Sequence, residues 1–160
     1  MATTPVRTVP DLTGLLKHAG HVLETQLTAA LAEVGLTPRM QCVLLYALEE
    51  ERTQVQLAEL AYLDKTTMVV TVDALEKAGL AERKPSETDR RARIVAVSEA
   101  GARAAEEGQR IVDRVHGEAL AALAASQRGP FADALAELVG HHLATPVEAQ
   151  PVRRARQRAK

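Results

Sequence analysis

A chain of 160 residues has room for one domain with a proper core and none for a second of ordinary size. Hydrophobic residues make up 46% of it but aromatic ones only 2%, so the core must be assembled from Leu, Val and Ala, which at helical spacing favours packed helices over a sandwich of sheets. The formal net charge of −1 announces no polyanion partner, and the single cysteine excludes an intrachain disulfide and a cysteine-rich metal site; with no apolar run of about 18 residues and no signal-peptide pattern, the expected setting is the cytoplasm.

Residues 1–10 read as an N-terminal extension. Leu12, Leu15, Leu16, Ala19, Val22, Leu23, Leu27, Ala30 and Leu31 then recur at three and four, which predicts a long amphipathic helix over residues 11–33, ended by Gly35. Thr37 is a suitable N-cap with Pro38 at the first helical position, and Met40, Val43, Leu44, Ala47 and Leu48 mark a second helix that runs out in Glu49, Glu50 and Glu51. Thr53 can cap a short third helix carrying Val55, Leu57, Ala58, Leu60 and Ala61. Asp64 can cap a fourth over residues 65–78, with Gly79 suited to its C-terminal cap. Two helices joined by so short a turn form a helix-turn-helix, whose second member is offered to the DNA major groove.

Leu80, Ala81, Glu82 and Arg83 read as a strand, residues 85–89 as a turn and residues 93–97 as the returning strand, so the helix-turn-helix acquires a wing. Ser98 caps a long helix with Ala105, Ile111, Val112, Val115, Ala119, Leu120 and Leu123, which Gly129 and Pro130 are expected to break. Phe131, Leu135, Leu138, Val139 and His142 begin a last helix. From Thr145 the apolar period disappears, and residues 145–160, with Arg153, Arg154, Arg156, Arg158 and Lys160, read as a basic, disordered tail. The fold class is mainly α with a small β-wing, a winged helix-turn-helix of six helices.

Several runs in one order and spacing carry a resemblance. They are Leu57-Ala58-Glu59, Leu63-Asp64-Lys65-Thr66-Thr67, Leu75-Glu76-Lys77-Ala78-Gly79-Leu80, and Asp89-Arg90-Arg91 followed by Val95-Ala96-Val97-Ser98. Across residues 11–143 the chain resembles the MarR family of winged helix-turn-helix transcriptional regulators. The resemblance implies an intertwined, triangular homodimer, with residues 11–36 and 98–144 as its helical dimerisation region and residues 37–97 as the DNA-binding lobe. It also implies a pseudo-palindromic operator on double-stranded DNA, most often repression, and release by a small, frequently phenolic, effector or by oxidation of a thiol. An effector pocket between the first, second and fifth helices would be touched by His21, Arg39 and Tyr46.

On the helix starting at Lys65, steps of about 100° per residue put Met68, Val72 and Leu75 on a core face and Thr66, Val70, Asp73 and Lys77 on the opposite, DNA-facing one. Thr66 and Thr67 suit phosphates or base edges, and Lys65 adds a charge for the backbone. The family commonly has arginines at the positions of Val70 and Ala74, and often glycine where Tyr62 stands. Val69 and Val70 suit thymine methyl groups instead, which points to a half-site presenting A·T pairs to the helix. Arg90 and Arg91 sit at the wing tip, where a guanidinium enters a narrow minor groove, with Asp89 orienting one of them. By family analogy Arg91 inserts, and Arg83, Lys84 and Arg93 contact phosphate.

Other chemistry is thinly represented. His18 and His21 share a helix face at a spacing that could bind a metal but is more often merely interfacial, and His141 and His142 suit a helix C-terminus. No Gly-rich phosphate loop, nucleophile with a base or metal-ligand spacing is evident, so neither catalysis nor a cofactor is expected. Cys42, one turn before Tyr46, has no base nearby in sequence and reads as an inert buried thiol. The alternatives to a ligand-responsive regulator are a thiol-based redox sensor through Cys42 and a winged helix used as a protein-interaction module.

Overall fold

The computed structural model describes residues 8–86 and 92–147, and in it local capping decides where helices begin. Helix α1 (Leu12–Ala32) starts where Asp11 accepts the Gly14 amide at 3.0 Å, and α2 (Pro38–Glu49) where Thr37 accepts that of Met40 at 3.2 Å. Helix α3 (Gln54–Leu60) opens with a reciprocal capping box between Thr53 and Gln56, and α4 (Lys65–Lys77) with Asp64 accepting the Thr67 amide at 2.9 Å. Strands β1 (Ala81–Pro85) and β2 (Arg93–Val97) precede α5 (Glu99–Ala121), at whose start the Ser98 hydroxyl accepts the Gly101 amide at 3.0 Å, and α6 (Ala125–Gly140) ends the order.

Three helix ends in this stretch share one geometry. The amides of Leu36, Leu63 and Leu80 donate back to the carbonyls of Leu31, Ala58 and Leu75 at 3.1, 2.9 and 2.9 Å, around a residue in the left-handed region. Glycine takes that position twice, as Gly35 and Gly79. In the turn between α3 and α4 it is Tyr62, at φ 52° and 83% exposed. A side chain there costs about 1 kcal/mol relative to glycine, yet both backbone hydrogen bonds of the turn are made.

The chain divides into two units, Met1–Ala119 and Leu120–Lys160. In the first, Leu31 and Leu36, Val43 and Leu44 of α2, Leu57 of α3, Met68, Val72 and Leu75 of α4, and Val95 of β2 are all essentially inaccessible and form one core. The periodicity of α4 thus places its expected core face inward. Strands β1 and β2 pair antiparallel with Arg83 opposite Val95 and Ala81 opposite Val97. The segment leading into α3 joins this hairpin, for Thr53 bridges to Ile94 and the Val95 amide donates to the Arg52 carbonyl at 3.1 Å. Helix α5 approaches at two glycines. A Cβ at Gly101 would lie 1.9 Å from the Leu80 carbonyl oxygen, and one at Gly108 would lie 2.2 Å from Oε1 of Gln41.

In the second unit the expected helix break is displaced. Gly129 and Pro130 lie inside α6, and the interruption falls at residues 122–124. Arg128 explains the position, because its guanidinium donates to the carbonyls of Leu123 and Ala121 at 3.1 and 3.3 Å and so satisfies acceptors orphaned at the end of α5. Pro130 is six residues into α6, where the missing amide costs one hydrogen bond without ending the helix. Among the described residues no helix is long and apolar enough to cross a membrane.

The Gly101 contact is with backbone, which cannot rotate aside. Gly101→Ala is therefore expected to lower the unfolding free energy by roughly 1–3 kcal/mol or more, measured by urea denaturation, whereas the same change at Gly117, which has nothing within 4 Å, should be neutral or stabilising.

Candidate nucleic-acid interface

Helix α4 turns an uninterrupted outer surface away from the core. Lys65, Thr66, Val69, Val70, Asp73 and Lys77 are all exposed, Val70 by 62%. Two valines held in the open on a helix whose inner face is complete have no packing role in this chain. Thr66 and Thr67 differ in kind. Thr67 is half-buried, and its hydroxyl donates to the Asp64 carboxylate at 2.6 Å, so it completes the N-cap and leaves Thr66 as the hydroxyl turned outward. Hydrogen bonds from Thr67 hold the Asp64 carboxyl below its ordinary range, so the cap is ionised at neutral pH.

The same surface carries two acids, Asp73 and Glu76, which would repel a polyanion if left alone. Arg83 of β1 compensates both: its Nη2 lies 2.8 Å from the Asp73 carboxylate, and its Nη1 pairs with Glu76. Its Nε donates to Gln54 Oε1 of α3 at 3.0 Å, and its backbone amide donates to Glu76 at 2.8 Å. Expected to contact phosphate, Arg83 is placed as a clamp joining α3, α4 and β1. Lys84 pairs with Glu82 on its own strand at 2.7 Å, both exposed, an interaction weak enough to exchange for a phosphate. Arg93 is exposed at the start of β2. Asp89, Arg90 and Arg91 lie outside the described residues.

A cavity of about 250 Å³ opens between α1, α2 and α5 on the other side of α2. Of the three side chains expected at such a pocket Tyr46 lines it, while the exposed His21 and Arg39 are not among its walls. Cys42 and Gln41, which sequence reasoning did not place there, are. Gln41 is 2% exposed; its Nε2 donates to the Ala105 carbonyl at 2.9 Å, but its Oε1 is the one buried side-chain polar atom among the described residues without a hydrogen-bond partner. Such an orphan costs about 1–3 kcal/mol. Burial pushes the Cys42 thiol up, only partly opposed by its hydrogen bond with Tyr46, so the nucleophilic thiolate is scarce at neutral pH. Among the described residues no cluster of three or more potential ligands could hold a metal.

Residues 34–92, from the end of α1 through the wing, match the model of the MarR family. A MarR-family transcriptional regulator from Rhodococcus sp. RHA1 has the same architecture, with a TM-score of 0.73 and 28% identity over 86% of this chain and 96% of its own. Over residues 34–92 the chain is similar to the MarR family. Members regulate transcription through a DNA-binding winged helix and are not enzymes. CouR from Rhodococcus jostii RHA1, 28% identical over 88% of this chain and 96% of its own with a TM-score of 0.72, is known bound to p-coumaroyl-CoA and also, as a transcriptional repressor, to a 23-mer DNA duplex. A MarR-family protein of Mycobacterium tuberculosis, 26% identical over 82% and 98% of the two chains with a TM-score of 0.69, is known in complex with salicylic acid.

Two outcomes follow from this geometry. Arg83→Met keeps the stem and removes the charge; it is expected to destabilise the lobe by about 1–2 kcal/mol, and a double-mutant cycle with Glu76→Gln should show coupling of roughly 0.5 kcal/mol or more, zero coupling excluding the clamp. Alkylation of Cys42 by iodoacetamide should be slow at neutral pH and accelerate with a midpoint above that of a free thiol; a midpoint at or below the free-thiol value would show an activated cysteine.

Proposed function

We propose that this chain is a homodimeric repressor that binds a pseudo-palindromic operator, each protomer offering α4 to a major groove and its wing to the flanking minor groove. The observation that carries the reading is the outer surface of α4. Lys65, Thr66, Val69 and Val70 stand exposed there, and its acids are matched by the guanidinium of Arg83. Lys65, Lys84 and Arg93 would contact phosphate, with Thr66 near phosphates or base edges and Thr67 holding the N-cap beside it. Val69 and Val70 would pack on thymine methyl groups, so the half-site presents A·T pairs to α4. Arg90 and Arg91, oriented by Asp89, would reach the minor groove. The DNA-bound CouR relative, at 28% identity, supports both the partner and the repressive sense.

Dimerisation through residues 11–36 and 98–144 is supported by apolar side chains that a single chain leaves uncovered. On α1 Leu12, Leu15, Leu16 and Val22 are exposed, and Phe131, Val139 and Leu143 are each more than half exposed in the second unit. Faces of this extent on water-exposed helices mark an interface. A two-fold dimer would then require half-sites about one helical turn apart. The cavity between α1, α2 and α5 is the proposed effector site. The small-molecule complexes of CouR and of the mycobacterial relative support an effector of this kind.

Fluorescence anisotropy with duplexes from the upstream region of the protein's own gene, at several salt concentrations, tests the reading. Saturable, sequence-preferring binding that weakens with salt is expected. Lys65→Ala should weaken every duplex alike and lower the salt slope by about one unit, whereas Val70→Ala should change base preference within the half-site. Arg90→Ala with Arg91→Ala should cripple binding. Binding that is equally weak to all genomic fragments and indifferent to these changes would favour a protein-interaction module.

A further inference from the structure

The strand that returns from the wing is anchored by a segment with no helix of its own. Glu50 leaves α2 in extended backbone, at φ −162° and ψ 164°, and α3 does not begin until Gln54. Between them the Arg52 carbonyl accepts the Val95 amide of β2 at 3.1 Å, and Thr53 bridges to Ile94. Gln54 then meets Arg83 of β1 at 3.0 Å. The direction of both wing strands therefore depends on where the backbone of residues 52–54 is held.

Thr53 is fixed to α3 by its capping box, and Arg52 fixes the same segment to α2. The Arg52 side chain is 14% exposed and folds back along α2. Its Nη1 donates to the Tyr46 carbonyl and lies 3.0 Å from the Glu49 carboxylate, its Nε lies 3.2 Å from that of Glu50, and the guanidinium carbon stands 5.8 Å from the centre of the Tyr46 ring. The Tyr46 carbonyl is among the last four of α2, which have no amide ahead of them in the helix. One residue thus caps α2 with its side chain and receives β2 with its backbone. The two exposed carboxylates add little by themselves. The carbonyl and the ring give the side chain its fixed place, and a planar fork can meet several acceptors at once.

We propose that Arg52 is the positioning residue of the wing: by pinning the segment before α3 to the end of α2, its guanidinium sets the angle at which β1 and β2 leave the lobe, and with it the reach of the wing to DNA. This role rests on the reading of the wing as a minor-groove contact. Arg52 itself touches no DNA. Its loss removes the binding that the wing supplies and spares the binding that α4 supplies.

A double-mutant cycle read by the same fluorescence anisotropy tests this role, with Arg52→Met keeping the apolar stem and removing every donor. In the wild-type background Arg90→Ala with Arg91→Ala is expected to weaken binding to the preferred duplex by about tenfold or more. In the Arg52→Met background the same pair should cost less than about threefold, whereas Lys65→Ala should cost the same in both. General destabilisation of the lobe would not produce that asymmetry. Arg52→Lys, which restores a charge without the fork, should fall between, and it carries the test if thermal melts show that Arg52→Met does not fold. Amide hydrogen exchange on the free protein needs no DNA: relative to the amides of α4, that of Val95 should exchange about tenfold faster or more in Arg52→Met. Equal costs of the wing change in both backgrounds, a Lys65→Ala cost that falls alongside it, or an unchanged Val95 rate would overturn the role of Arg52 and leave the DNA reading standing. Wild-type protein that binds no duplex would overturn both.

Discussion

The guanidinium of Arg83 meets Asp73 and Glu76 of α4 and Gln54 of α3 from its place on β1, and the charge of α4's outer surface depends on this arrangement. Helix α4 carries two carboxylates on or beside its outer face. Uncompensated, they would raise the electrostatic cost of bringing that face to a polyanion and leave β1 without the ion pairs that tie it to α4. One planar side chain with several donors in a fixed fork removes both problems at once, which a lysine, a point charge on a flexible stem, would not. Helix α4 and β1 are thereby held together.

A second arginine makes the corresponding joint on the other side of the lobe. Arg52 donates to the Tyr46 carbonyl, pairs with Glu49 and Glu50 at 3.0 and 3.2 Å, and lies 5.8 Å from the centre of the Tyr46 ring. Its own carbonyl accepts the amide of Val95 in β2. The end of α2, which carries the cavity residues Tyr46 and Glu49, is thus tied to the returning strand of the wing. The acidic run Glu49 to Glu51 has a structural use here, since two of its members neutralise Arg52.

The turn between α3 and α4 illustrates how tertiary needs override local preference. Tyr62 occupies a left-handed position that glycine fills at the ends of α1 and α4, and its exposed ring gains little packing in return. The strain is tolerated because the turn is over-determined: the Leu63 amide returns to Ala58 and the Asp64 cap begins the next helix at once. Tyr62 also borders a groove shared with Tyr46, Arg52 and Gln56, beside the joint just described.

Much of the architecture was legible from spacing and caps, because those signals act within one turn of chain. Asp11, Thr37, Thr53, Asp64 and Ser98 each bond an amide three residues on, and Gly35 and Gly79 each supply the backbone conformation their turns require. The inner face of α4 followed from its period, and its outer valines from the same count. What depended on partners distant in sequence was not legible. Arg83 read as one more basic residue because Gln54, 29 residues away, and the carboxylates of α4 are brought to it only by folding, although two acids on a DNA-facing helix were themselves a sign that a cation must lie nearby. Pro130 read as a breaker because the carbonyl caps supplied by Arg128 were invisible. The sequence determined the order of the helices and wing through local hydrogen bonds and periodicity. Only the tertiary structure decided which charges neutralise one another and which side chains enclose a cavity, since both are set by distances between elements that no local pattern encodes.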